Sequence, residues 1–211
     1  MNARLRLSLM TTAVVVLGVL VVLVLARPGG SGDGADDGIQ QAGSPFKGSR
    51  GVGAAAPGFR LADQDGRPTS LAGLRGRPVI LTFMYSTCED TCPATARQIA
   101  QSLDDLGEDV PTIIVSVDPK NDTKATAQQF LNKMRLRGRA QFVLGTRAQL
   151  APIWKSYAVL PQGEGFEHSA VVLVLDAQGR QQVTFPVDKL TSSDLAHDVR
   201  AVQDRATPSA R

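Results

Sequence analysis

The sequence predicts an α/β fold, a mixed central sheet flanked by helices, and three observations carry that prediction. Two short runs, "PVILTFMY" (78–85) and "PTIIVSVD" (111–118), are β-branched and almost continuously apolar, as strands covered on both faces must be. Between and after them, apolar residues recur at i, i+3, i+4 and i+7 in three segments, the spacing of a single buried helical stripe. Towards the C-terminus, "AVVLVLDAQGRQQVTFPV" (170–187) breaks at Asp176–Gly179 and reads as a hairpin. Strands that alternate with helices and close on a hairpin imply parallel and antiparallel pairing within one sheet.

Taken in chain order, the first element is not part of that domain. From Leu7 to Ala26 the chain is uncharged and almost wholly apolar, the length needed to cross a bilayer core as a helix. Arg4 and Arg6 precede it, while Asp33, Asp36 and Asp37 follow, so the charge bias places residues 1–6 in the cytoplasm and the remainder outside. A cleaved signal peptide competes, because Val24-Leu25-Ala26 is an acceptable cleavage pattern. Against it, the apolar run exceeds the core of an ordinary signal, and Pro28 crowds the cut site. The expectation is a single-pass anchor over 7–26 in the cell membrane, with an extracytoplasmic domain. No cysteine follows the apolar run that could take a lipid.

Residues 27–54 are rich in Gly, Ser, Asp and Pro without an apolar period and read as a flexible tether. The folded domain is expected over 55–205, with residues 206–211 as a disordered tail. Within it, the strand at 78–85 precedes a helix whose stripe is Ala96, Ile99, Ala100 and Leu103. The strand at 111–118 precedes a second helix, with Ala127, Phe130, Leu131 and Met134. "AQFVLG" (140–145) is a short strand, and Leu150, Ile153, Trp154 and Tyr157 form the third stripe. After the hairpin, a last helix from about Ser192 to Gln203 aligns Leu195, Val199 and Val202. This element order fits a thioredoxin-like fold or a relative of it, and fold alone does not fix function.

With 23 Lys and Arg against 20 Asp and Glu, spread through the chain, the net charge of +3 argues for an ordinary mixed surface and against a nucleic-acid partner.

The chemistry concentrates at "STCEDTCP", which holds the only two cysteines, Cys88 and Cys92. In an oxidising compartment such a pair is a structural staple, a redox couple or part of a metal site. The first strand runs out into Ser86-Thr87-Cys88, and Pro93 suits the first turn of the following helix. Cys92 is therefore expected at or next to the N-cap, with Cys88 in the loop before it. Free backbone N–H groups and the helix dipole would favour a thiolate there. A staple closing so small a loop contributes only about 2 kcal/mol in the chain-entropy model, which a domain with its own core does not require. A structural zinc site is excluded by counting, since two Cys and two His would all have to converge and His197 is expected to face solvent. His168 stands differently, between a Gly-rich loop and an apolar strand. Two thiolates and one imidazole make a reasonable set for copper.

Together these residues resemble the SCO/SenC family, membrane-tethered thioredoxin-fold proteins tied to copper delivery and cytochrome c oxidase assembly. The resemblance rests on "YSTCEDTCP", "VSVDPKNDT" and "EHSAVVLVLDAQGR", and extends to "GFRLADQDGRPTSLAGLRGRPVILTF" (58–83), which looks like the family's N-terminal hairpin and first core strand, and to "QLAPIWKSYAV" (149–159). It spans about 57 to 203. It implies Cys88, Cys92 and His168 as ligands of Cu(I) or Cu(II), with Asp90 and Asp118 as supporting residues rather than ligands. Glu167 stands where the family has Asp before the histidine, and the segment between Tyr157 and His168 is short. Thioredoxins use Cys-x-x-Cys, one residue fewer than here. Peroxiredoxin-like enzymes have Pro and Thr where this chain has Leu81 and Tyr85.

Two functions follow from the resemblance. In one, the protein is a metallochaperone that hands copper to the copper-site subunit of cytochrome c oxidase. In the other, it is a thiol–disulfide oxidoreductase that reduces the cysteines of that subunit or of another extracytoplasmic target. Partners expected besides that subunit are the membrane, another copper chaperone and a thiol reductant.

Overall fold

A computed structural model of the chain describes residues 44–51, 53–162 and 171–206. In order they form β1 (Ser49–Arg50), β2 (Arg60–Ala62), β3 (Pro68–Ser70), β4 (Val79–Met84), α1 (Thr91–Leu106), β5 (Thr112–Ser116), α2 (Lys124–Lys133), β6 (Ala140–Val143), α3 (Arg147–Ser156), β7 (Val171–Leu175), β8 (Gln181–Pro186) and α4 (Ser192–Ala206). Six strands make one mixed sheet in the order β1-β8-β7-β4-β5-β6, while β2 and β3 form a separate hairpin. β4, β5 and β6 are mutually parallel, and β7, β8 and β1 add antiparallel neighbours. The predicted mixed sheet with an N-terminal hairpin is therefore observed.

The continuous apolar runs are explained by two covered faces. Every residue of β4 and β5 is buried. Ile80, Met84, Ile114, Phe142, Val172 and Val174 point to one side with the stripes of α1, α2 and α4. Leu81, Phe83, Ile113, Val115, Val143 and Leu173 point to the other, against α3 and the turn at Leu71–Leu74. Each large side chain removed from water there contributes roughly 1.5–3 kcal/mol, so the central strands are the most firmly held part of the domain. Thr123 and Thr146 start α2 and α3 with reciprocal capping boxes. Gly107 ends α1 in the left-handed region, at φ 72°, where a side chain would be strained.

Three boundaries differ from expectation. α1 begins at Thr91, so its first turn already contains Cys92 and Pro93. Met134 and Tyr157, read as the last members of their stripes, are the C-caps of α2 and α3. The domain also starts earlier than residue 55. Ser49 and Arg50 pair with Thr184 and Val183, and Phe46 is buried in the core. The cause lies on α4, where the fully buried Asp198 accepts bonds from the backbone N–H groups of Lys47 and Gly48 at 2.8–3.0 Å. Among the described residues, no helix is long and apolar enough to cross a membrane. The anchor expected over 7–26 lies outside those residues, as do residues 207–211 of the tail expected over 206–211, whose first residue, Ala206, is instead the last of α4.

Candidate metal and dithiol centre

The centre is built where β4 hands over to α1. After Met84 the chain turns at Tyr85–Thr87, with the Cys88 N–H donating to the Tyr85 carbonyl at 3.3 Å. Neither cysteine is in a disulfide, and both thiols are nearly enclosed, Cys88 at 8 % exposure and Cys92 at 3 %. The backbone N–H of Cys92, in the first turn of the helix where no i−4 carbonyl within the helix can accept it, donates to Cys88 Sγ over 3.4 Å. The turn before α1 and the first residues of the helix thus set the two sulfurs side by side, close enough for the thiols to hydrogen-bond to each other.

The two thiols are electrostatically unlike. Burial pushes the Cys88 thiol up, but bonds from the Cys92 thiol, from the backbone N–H groups of Cys92 and Asp90, and from the Tyr85 hydroxyl together bring it below its ordinary value. Burial drives Cys92 well above the usual thiol range despite a backbone bond, and the neighbouring Cys88 and Asp122 charges push the same way. Tyr85 is likewise raised, by burial and then by its bond to Cys88 and the charges around it. In the reduced protein, Cys88 is therefore the more readily ionised of the two thiols and Cys92 the one that holds its proton more firmly.

Asp90 occupies the N-cap of α1 with an exposed side chain that makes no capping bond; its contribution to Cys88 is its backbone N–H. Asp118, just beyond β5, is buried, accepts from Asn121 Nδ2 at 2.7 Å, and raises Tyr85 and Asp122 through its charge. His197 faces solvent as expected, with Nδ1 2.9 Å from Asp198 Oδ1. His168 lies outside the described residues. The ends of its segment are described: the Gln162 N–H donates to the Val117 carbonyl at 2.9 Å, and the Val171 carbonyl accepts from Thr82 Oγ1 at 2.8 Å. Both ends are pinned at the end of the sheet that carries the cysteines. Among the described residues, no three His, Cys, Asp or Glu side chains converge on a common point.

Asp122 was not among the residues singled out from the sequence. At 8 % exposure, its Oδ1 accepts from the Ser86 N–H at 2.7 Å and the Ser86 hydroxyl at 2.6 Å, while Oδ2 accepts from the Ser116 hydroxyl at 2.5 Å. One carboxylate thus ties the cysteine loop to the end of β5 and the start of α2. Burial raises its pKa more than these donors lower it, with Asp118 adding to the rise. The signal was present in "DPKNDT", where an acid immediately precedes the N-cap threonine.

The SCO1/SenC family model matches residues 48–204. The chain is 24 % identical over 144 residues to an SCO2-like protein of Rickettsia prowazekii, covering 62 % of this chain and 68 % of that one. It is 29 % identical over 136 residues to the mitochondrial SCO2 homolog of Bos taurus, covering 57 % of this chain and half of the bovine protein. Among solved structures, Bradyrhizobium japonicum ScoI with copper bound superposes with a TM-score of 0.60 at 30 % identity, over 71 % of this chain and 99 % of that one. The match runs from β1 through α4 and takes in the paired sulfurs and the acid that braces them, so the chain belongs to the SCO1/SenC family.

Proposed function

We propose that this protein binds one copper ion through Cys88, Cys92 and His168 and delivers it to the copper-site subunit of cytochrome c oxidase during assembly. The observation that carries the reading is the sulfur pair itself: two buried thiols side by side where the turn after β4 enters α1, one of them already biased towards thiolate. Soft thiolates select Cu(I), and an imidazole completes a set that also accommodates Cu(II). Copper is cargo here, so the ligands must release it as well as hold it. A site at a strand-to-helix junction, with its third ligand on a separate segment, suits release by stepwise ligand exchange. Chain connectivity favours His168: three residues span at most about 11 Å, and Val171 is fixed at the same end of the sheet. The apolar run at 7–26 would hold the domain on the outer face of the cell membrane, where its partner is assembled.

A competition titration of the reduced full chain tests this. Wild type should bind one Cu(I), His168→Ala should bind it much more weakly, and Cys88→Ser or Cys92→Ser should not bind it stoichiometrically. Unchanged affinity in His168→Ala overturns the assignment.

The split between the two thiols favours a second reading, thiol–disulfide exchange. The Cys88 thiolate would attack one sulfur of a target disulfide, forming a mixed disulfide and releasing the other target thiolate. Cys92, after giving up its proton, would then attack Cys88, so that two electrons pass to the target and Cys88–Cys92 ends oxidised. His168→Ala should retain this exchange, which separates the two activities in one variant.

A further inference from the structure

A cleft of about 990 Å³ lies at the other end of the sheet, around the N-terminal ends of β5 and β6. Its construction is visible in the sequence as a repeated tetrapeptide. Leu74-Arg75-Gly76-Arg77 leads into β4 and Leu136-Arg137-Gly138-Arg139 leads into β6. Both glycines are left-handed, at φ 97° and 78°, so each tetrapeptide turns sharply before its strand. Because β5 lies between β4 and β6, the two turns bracket its start, and Arg77, Arg137 and Arg139 line one cleft.

The charges there are unevenly matched. Arg139 bonds to Asp104 at 2.8 Å and Asp109 at 2.9 Å, which employs both acids internally. Asp63 is buried and its Oδ1 accepts the N–H groups of Asp65 and Arg67. Asp65 accepts from Gln64 and Gln128 and lies 3.6 Å from Arg67. The cleft's carboxylates are thus all engaged. Arg77 and Arg137 are exposed and make no ion pair or hydrogen bond with any described residue. Two guanidiniums on opposed turns of a polar cleft, with the nearby acids occupied, form a receptor for an oxyanion, since each guanidinium presents a planar fork matched to phosphate oxygens.

We propose that this cleft is a second ligand site, separate from the cysteines, that binds a phosphate group through Arg77 and Arg137. The phosphate comes from an anionic phospholipid headgroup or from a free phosphate, and the same two side chains would read either. The cleft is wide enough to admit a group larger than orthophosphate.

The test is calorimetric titration of the full chain with inorganic phosphate and, separately, with water-soluble dihexanoyl-phosphatidylglycerol, using dihexanoyl-phosphatidylcholine, a zwitterion of no net charge, as the control. Saturable binding of either anionic probe is expected, weakening as salt is raised. The double variant R77Q/R137Q should lose at least tenfold in affinity, while R97Q, which removes one charge from the exposed face of α1, should bind as wild type. Phosphate binding alone identifies a free-phosphate site, and stronger binding of the lipid probe identifies a headgroup site. No saturable binding of either probe, or equal loss in R97Q, overturns the proposal. The copper titration of R77Q/R137Q should be unchanged, so failure here leaves the cysteine site untouched.

Discussion

Asp122 and Tyr85 govern the cysteine loop from opposite sides, one by holding its backbone and one by touching its sulfur. Asp122→Ala would leave the Ser86 N–H and the Ser86 and Ser116 hydroxyls without their acceptor in a buried place. Stranding such donors should destabilise the reduced protein by about 2–3 kcal/mol, read as a lower urea midpoint, with Asp122→Asn much milder because one oxygen remains. Tyr85→Phe removes a hydroxyl that donates to Cys88, so the Cys88 pKa should rise back towards an ordinary thiol. The sign is fixed by which form alkylates. With its pKa lowered, Cys88 in the metal-free reduced wild type should react with iodoacetamide at lower pH than a free cysteine, while Cys92, whose pKa is raised, should lag far behind. Peptide mass spectrometry across a pH series resolves the two sites, and Tyr85→Phe should move the Cys88 profile to higher pH. Equal rates at both cysteines would contradict this division of roles. The sulfurs were legible in the sequence because no other residue supplies their chemistry. Asp122 was not, because an acid before an N-cap threonine reads as ordinary capping until the fold brings Ser86 and Ser116 against it.

At the scale of elements, the N-terminal segment is the instructive case. The sequence assigns 27–54 to a tether, since Gly, Ser and Asp predominate and no period is visible. Yet β1 joins the sheet, because two residues need no period when a buried carboxylate collects the preceding N–H groups. A hint lay on α4, where Leu195, Asp198, Val199 and Val202 fall at i, i+3, i+4 and i+7, placing a charge on the apolar stripe. A buried acid on such a stripe must be bonded, and backbone N–H groups are the available donors. Asp198→Ala should free the strap without unfolding the domain. Hydrogen exchange should show the Lys47, Gly48 and Gly51 amides losing protection while β4 and β5 keep theirs; retained protection at Lys47 would show that the carboxylate is not the clasp. Elsewhere the periodicities were sufficient. The strands at 78–85 and 111–118 and all four helices fall where the pattern puts them, because each is covered by a core that selects apolar residues at fixed spacing.

Across the whole molecule, topology follows from the elements, since β4-α1-β5 and β5-α2-β6 are crossovers that keep strands parallel, and the β7–β8 hairpin must then pair antiparallel on the free side of β4. Both crossovers leave the C-terminal ends of β4 and β5 at one end of the sheet, which is why Cys88, Asp118 and Asp122 gather there although long stretches of chain separate them. Copper held by Cys88, Cys92 and His168 would join this end to a segment whose flanks rest on Val117 and Thr82. A ligand that binds only the folded state stabilises it by mass action, by about 4 kcal/mol when free ligand exceeds the dissociation constant a thousandfold. For a chain of this length each kcal/mol raises the melting midpoint by roughly 2–4 °C, so reduced protein loaded with Cu(I) should melt on the order of 10 °C above the metal-free form. Oxidised protein should show no such shift, because its sulfurs are no longer thiolates. His168→Ala should keep only a small part of it, since two sulfurs at a single strand-to-helix junction do not bridge separate segments. Calorimetry of the three forms at matched free copper reads all these outcomes, and a full shift in His168→Ala would place the metal on the cysteines alone and remove the histidine from the site.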